Sequence, residues 1–199
     1  VRLVGSEMCI RDSITTNLRV TERYRSSSAN QPSGGMEAPR FEEIAAHGEE
    51  SQSALRDLNN ANARETSFLT ETDWAGLVAE AFAAICVSDA AAFLITFQQN
   101  ANYHSPNFKW FQERRNRFVY VDRIVVDDSQ RGRGLGAHLY RVMFDRARAV
   151  GHDRIVCEVN LEPPNPGSDA FHKKMGFVEV GRAEVGPDGK WVRYCEKIL

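Results

Sequence analysis

The stretch that most constrains this chain is Phe118–Ala149, FVYVDRIVVDDSQRGRGLGAHLYRVMFDRARA. An apolar run leads into a loop of alternating Gly and Arg, and the loop leads directly into an amphipathic segment. Strand, glycine loop and helix in that order build a phosphate site. The loop amides and the helix N-terminus converge on one place and concentrate partial positive charge there. Phe118–Val126 is apolar on both alternating faces, with Phe118, Tyr120, Ile124 and Val126 on one and Val119, Val121 and Val125 on the other. That pattern predicts a central strand covered on both sides. Gly134–Val150 sets Leu135, Leu139, Val142, Met143 and Val150 along one helical stripe, and Gly151 ends it.

The rest of the chain reads as elements around this unit. Arg154–Asn160 is the next expected strand, and a strand–helix–strand unit of this kind is parallel and right-handed. Asn165 is placed to cap a further helix with Pro166 at its first position, and Gly176 to close it. Phe177–Val185 and Trp191–Ile198, around Gly186-Pro187-Asp188-Gly189, predict a closing hairpin. Upstream, Arg40–Ala46 reads as a first strand and Glu49–Asn62 as a helix with Leu55 and Leu58 on one side. Asp73 is the expected N-cap of a helix from Trp74 to about Ala84, its apolar side formed by Trp74, Leu77, Val78 and Phe82. Ile85–Val87 and Ala91–Phe97 flank Ser88-Asp89 as a hairpin, and a short helix is expected after Pro106.

Length and charge narrow the function classes. At 199 residues there is room for one substantial domain and a tail. With 25 basic against 27 acidic residues, a bulk polyanion such as nucleic acid is not the indicated partner. Cys9, Cys86, Cys157 and Cys195 are widely spaced with no C-x-x-C pair, which argues against a zinc site or a disulfide framework; we expect no metal and a reducing, cytoplasmic setting. The most apolar window, Ala79–Phe97, is broken by Glu80, Ser88 and Asp89, so no membrane span is expected. Residues 1–13, VRLVGSEMCIRDS, begin with Val, and their charges interrupt any signal-peptide core. They resemble translated adapter sequence and are excluded as non-native. Residues 14–39 read as a disordered linker in which Met36 is the expected native start, and the domain proper as 40–199.

Taken alone, RGRGLGA supports three readings. The first is a tight strand-to-helix turn. The second is a relaxed dinucleotide fingerprint, Gly132-x-Gly134-x-x-Ala137, with Glu158 near the offset of a ribose-binding acid. Against it, the loop carries Arg131 and Arg133 after a long Asp127-Asp128-Ser129-Gln130 lead-in, and too little chain follows for a second mononucleotide half. A P-loop is excluded because no Lys-Ser/Thr pair follows the glycines.

The third reading is a family likeness. Arg131-x-x-Gly134-x-Gly136 resembles the pyrophosphate loop of the GNAT superfamily of N-acetyltransferases. Downstream, Asn165-Pro-Gly-Ser168-Asp-Ala-Phe171-His172-Lys-Lys-Met-Gly176-Phe177 is similar to the second half of that family's core, and Cys157-Glu158-Val159 to the strand between them. The likeness covers about Ala54–Leu199, and is nearest to small bacterial predicted acetyltransferases of that superfamily carrying YVDRIVV, CEVN-x-x-PPNP and a single FH pair. It implies an α/β (α+β) fold with a mixed, mainly antiparallel sheet flanked by helices. The implied activity is direct acetyl transfer from acetyl-CoA to an amine of a small molecule or protein N-terminus. The rivals are a non-catalytic acyl-CoA-binding regulatory module and a Rossmann-type nucleotide binder.

The likeness also implies roles, residue by residue. Arg131, Gly132, Arg133, Gly134, Leu135, Gly136 and Ala137 would hold the pyrophosphate of coenzyme A. Ile124, Val125 and Val126 would flank the pantetheine arm and supply the oxyanion amide, with Asn160, Asn165 and Ser168 also meeting that arm. Glu158, an ionisable group on an otherwise apolar strand, corresponds to the base of ribosomal-protein N-acetyltransferases of this fold; a purely structural carboxylate is the alternative. Asp122 is the competing base, with a structural salt bridge as its alternative. His172 falls where many members have a Tyr acting as acid toward the thiolate, and a structural or acceptor-binding His is its alternative. Tyr103, His104, Trp110, Phe111, Arg114, Arg115 and Arg117 read either as an acceptor-pocket lining or as packing beneath a solvated basic face. The likeness leaves room for a homodimer.

Overall fold

The computed structural model describes residues 39–87, 90–186 and 189–199. The expected tail and linker, and the turns expected at Ser88-Asp89 and Pro187-Asp188, lie outside the described residues. Seven strands form one sheet in the order β1-β2-β3-β4-β5-β7-β6: β1 Phe41–Glu43, β2 Ala83–Val87, β3 Ala92–Gln98, β4 Val119–Val126, β5 Arg154–Glu162, β6 Val178–Val185 and β7 Lys190–Ile198. Every pairing is antiparallel except β4 with β5. This is the mixed, mainly antiparallel sheet expected. It is incompatible with the dinucleotide reading, which needs a doubly wound parallel sheet.

Helices cover both faces. α1 (Glu49–Ala61), the short α2 (Ala63–Thr66), α3 (Glu71–Glu80) and α4 (Pro106–Gln112) lie between the strands of the first half. Leu55, Trp74, Phe108 and Phe111 from α1, α3 and α4 pack with Phe93, Phe97, Phe118, Tyr120, Val156 and Tyr194 on one face. On the other, α5 (Leu135–Ala149) lays Leu135, Leu139, Val142 and Met143 over Leu94, Val119, Ile155 and Cys157, joined by Phe177 just after α6 (Pro166–Lys174). Among the described residues no helix is long and apolar enough to cross a membrane.

Expectations for three elements are corrected. Arg40–Ala46 is strand only over Phe41–Glu43 and then turns into a single 3-10 turn at Ile44–Ala46. Asp73 is not the N-cap of α3: Thr70 is, and Asp73 closes a capping box by reaching back to the Thr70 amide, which moves the helix start forward to Glu71. The helix ends at Glu80, and Ala83-Ala84 belong to β2, where small residues pair opposite Thr96 and Ile95.

The third concerns β4. Ile95 pairs with Arg123 and Thr96 with Val121, so Asp122 is an extra residue with no partner on β3. A β-bulge of this kind shifts the alternation by one. Val125 therefore joins Phe118 and Tyr120, while Ile124 and Val126 join Val119 and Val121 on the α5 face, the reverse of a strictly alternating strand.

Candidate active site

β4 and β5 pair only at Val119–Ile155 and Tyr120–Val156, the N-terminal part of both strands. Beyond that point each keeps its outer partner, β3 or β7, and the two diverge. A gap therefore opens between the parallel strands beyond Tyr120 and Val156. Asp127 N–H bonds to Ala91 O on the β3 side (2.9 Å), and backbone groups alternate along a strand, so the Ile124 and Val126 amides turn away from β3 toward the gap.

At one end of the gap lies the glycine loop. Asp127 caps a 3-10 turn over Asp128–Gln130, and the chain then passes through Gly132 (φ 78°) and Gly134 (φ 80°) into α5. Left-handed backbone there favours glycine, and nothing lies within 4 Å of where either Cβ would be, so the space over the loop is open to a ligand. The first amides of α5, through Ala137, have no carbonyl partner within the helix. Gly136 instead sits against the Phe171 ring and Ile124 Cδ1 (3.4 and 3.5 Å from its Cβ position), which joins α5, α6 and β4 beside the gap. Arg131 and Arg133 are exposed, resting on Asp128 (2.7 Å) and Gln130. Open amides, a helix N-terminus and two available guanidiniums suit a pyrophosphate.

Glu158 stands on β5 two residues past the last pairing with β4, at the lip of the gap on the face opposite α5. Tyr120 Oη donates to its Oε2 (2.7 Å) and Asn107 Nδ2 to its Oε1 (2.9 Å). Burial pushes its carboxyl up to about 7; the two donors pull against that shift and the charge of Asp122 adds to it. Tyr120 is itself pushed well above its ordinary value, by burial and then by Glu158, so it stays a donor.

Asp122, at the bulge, is differently placed. Its buried carboxylate accepts from Arg123 Nε (2.5 Å) and from the Tyr103 hydroxyl, and Arg123 Nη1 goes on to Asn59 Oδ1 (2.9 Å). Both oxygens are taken by structural partners. Asn59 Nδ2 in turn donates to Ser67 O (2.9 Å), so the chain of bonds runs from the bulge to the loop between α2 and α3.

His172 is buried on α6 with both ring nitrogens engaged. Nδ1 faces Ser168 O (2.8 Å) and Ser168 Oγ (3.1 Å), and Nε2 faces Tyr140 Oη (2.7 Å). A carbonyl can only accept, so Nδ1 carries the hydrogen. Burial lowers the pKa of the ring, leaving Nε2 to accept from Tyr140. Phe171, Phe177 and Tyr140 surround it edge-on. Asn165 accepts from the Ser168 amide (3.1 Å) as the α6 cap, and its own amide bonds to the carbonyl of buried Asn160 (3.3 Å).

The aromatic and basic segment before β4 divides. Phe111 is core, Trp110 stacks on Tyr194 at 4.1 Å between centroids, and Arg114 lies over the Trp110 ring at 4.4 Å. Arg115 pairs with Glu196 (2.6 Å) and Arg117 Nη2 donates to Val150 O (2.9 Å). Arg115 is thus tied to the sheet, while Arg114 and Arg117 are exposed. Two residues at the site had no sequence signal of that role. Asn107 lies one residue inside a short helix, and Tyr194 becomes relevant only because β7 places it opposite Glu158. A register argument across β5 and β7 would have found Tyr194.

Comparison with known proteins agrees with this architecture. The sequence model of the "Acetyltransferase (GNAT) family" matches residues 50–177. The L-methionine sulfoximine/L-methionine sulfone acetyltransferase of Pseudomonas aeruginosa is 31% identical over 110 residues, 54% of this chain and 59% of that one. The chain thus spans less than two thirds of that relative's length. In fold, the ribosomal-protein-S18-alanine N-acetyltransferase from Escherichia coli superposes with a TM-score of 0.56 at 17% identity, over 80% of this chain and 92% of that one. Arabidopsis thaliana NAA60 in complex with acetyl-CoA gives 0.63 at 11% identity, over 81% and 100%. With the family model covering well over half of its residues, and with a split β4–β5 pair, an open glycine loop and a capped α6 in family order, the chain belongs to the GNAT acetyltransferase family.

Proposed function

We propose that this chain is an N-acetyltransferase that moves the acetyl group of acetyl-CoA to the α-amine of an amino acid or of a peptide N-terminus, by direct attack, with Glu158 as base. The observation that carries this is the placement of Glu158: a largely buried carboxylate at the lip of the β4–β5 gap, with its pKa pushed up to about 7. An amine attacks only after losing its ammonium proton. An α-ammonium releases that proton at ~8 and a lysine-type ammonium at ~10.4, so a base near 7 is matched to the former. The relative's name gives two methionine derivatives, amino acids that carry an α-amine, and the neighbour's name gives an alanine of a ribosomal protein, which supports the same choice.

The glycine loop and Arg131 and Arg133 would hold the pyrophosphate, and acetyl-CoA supplies the thioester that is attacked. The Ile124 or Val126 amide, turned toward the gap, is the donor available to the developing oxyanion. Asp122 is assigned to the fold because both its oxygens are occupied. His172 is left out of the proton path for the same kind of reason, and a thiolate of pKa ~8.5 takes its proton from water at neutral pH without a dedicated acid. Cys86, Cys157 and Cys195 are free thiols, in keeping with a cytoplasmic protein.

The test is thiol release from acetyl-CoA with a panel of amino acids, short peptides and alkyl diamines. Turnover is expected with α-amines, and Glu158→Gln should lower kcat about 10²- to 10⁴-fold. Coenzyme A binding without turnover on any amine would favour a non-catalytic acyl-CoA module. Unchanged turnover in Glu158→Gln would reject the base.

A further inference from the structure

α4 is a short helix between β3 and β4, and it touches Glu158 through its side chains. Asn107 Nδ2 donates to Glu158 Oε1 (2.9 Å) while its Oδ1 accepts from Tyr194 Oη (3.0 Å). An amide facing a carboxylate can present either its oxygen or its nitrogen, and only the nitrogen is favourable. The carboxylate thus settles the amide's orientation, which leaves the amide oxygen facing Tyr194, whose hydroxyl donates to it.

The Tyr194 ring is itself held. Trp110, one helical turn after Asn107 on α4, stacks on it with planes 19° apart, and Phe111 meets it edge-on. Trp110 can lie there because β6 has a glycine beneath it: a Cβ on Gly181 would come within 2.7 Å of the indole. Gly181 pairs with Tyr194 across a register shift in β6, so ring, indole and glycine form one stack. α4 thereby locks β7 to β5 at the register pair Glu158–Tyr194.

We propose that Asn107 and Tyr194 are positioning residues for the reaction, fixing the orientation and hydrogen bonding of the Glu158 carboxylate, with Trp110 setting Tyr194. This rests on Glu158 being the base. The groups facing Glu158 are Tyr120 and Asp122 of β4, Tyr103 before α4, Asn107 of α4 and Tyr194 of β7; of these Asp122 alone carries a charge, and it is paired with Arg123. No cation is among them. The neutral donors are thus what keeps the carboxylate in its proton-accepting form against burial.

Two readouts test this. In protein labelled with ¹³C at the Glu carboxyls, the Glu158 signal is identified by its loss in Glu158→Gln and titrated in wild type, Asn107→Leu and Tyr194→Phe. Losing a donor to a carboxylate should move the Asn107→Leu midpoint up by about one pH unit, and Tyr194→Phe should move it less in the same direction. The acid limb of kcat/KM should move with it, giving a loss of about tenfold below the limb and little loss at pH 9. A merely structural defect would lower activity equally at every pH and leave the limb in place. Glu158→Gln separates the two claims. If it keeps turnover, the base reading fails. If it abolishes turnover while the Asn107→Leu midpoint and limb coincide with wild type, Glu158 is the base and the positioning role is overturned.

Discussion

At the scale of single residues, the two buried acids on β4 and β5 differ in what surrounds them. Glu158 is held by neutral donors, and burial dominates, so its carboxyl sits near 7 in the fold against the ordinary 4.5. The native state therefore binds more protons than the unfolded chain between about pH 4.5 and 7, and stability falls as pH rises through that window. Glu158→Gln removes this dependence. The Tm of the variant minus that of wild type should be larger at pH 8 than at pH 4.5 by several degrees, checked by calorimetry at the two pH values. A difference that does not change with pH would mean that Glu158 titrates normally. Asp122 faces a guanidinium instead. Asp122→Ala leaves Arg123 buried and unpaired and should cost about 3–5 kcal/mol in chemical denaturation, whereas kcat per folded molecule should stay within about threefold. A stable Asp122→Ala protein without turnover would make Asp122 the base. Sequence alone marked both acids as candidates and put Glu158 first through the family likeness. It could not show what holds each one, because the bulge and the tyrosine partners exist only after β3, β4 and the loop before α4 come together.

At the scale of elements, the loop and α5 act as one unit. Gly134 precedes α5 at φ 80°, where a side chain is strained, and Gly136 rests against Phe171 and Ile124. Arg133, exposed beside the loop, should matter for the anion and little for the fold. Arg133→Ala is expected to raise the acetyl-CoA KM about 3- to 10-fold with kcat nearly unchanged and Tm within about 1 °C; an unchanged KM would undercut the phosphate assignment. This unit was legible in the sequence, since its signals are local: glycines at required positive φ, a helical stripe, a cap at Asn165 and Pro166 at the first turn of α6. The start of α3 was misplaced for an equally local reason. Thr70 and Asp73 are both good caps, and only the reciprocal bonds show which residue is N-cap and which is N3.

At the scale of the whole molecule, residues 39–199 hold all seven strands and both helical layers. A chain of those residues alone should melt within about 2 °C of the full chain and keep its acetyl-CoA KM, checked by calorimetry and thiol release. A large drop would show that the preceding residues belong to the domain. The sequence by itself determined the parallel β4–α5–β5 unit, the glycine loop before α5, the closing strand pair and the family, because each is written in periodicity, glycines and caps over short spans. Tertiary structure decided which face of β4 each side chain takes after the bulge, and where the strands part. It also decided that both nitrogens of His172 are engaged, that Asn107 reaches Glu158 from 51 residues away along the chain, and that Tyr194 stands opposite Glu158 in register and bonds to Asn107. The physical reason is the same throughout: these features depend on strand register and on burial, which are set by partners distant in sequence.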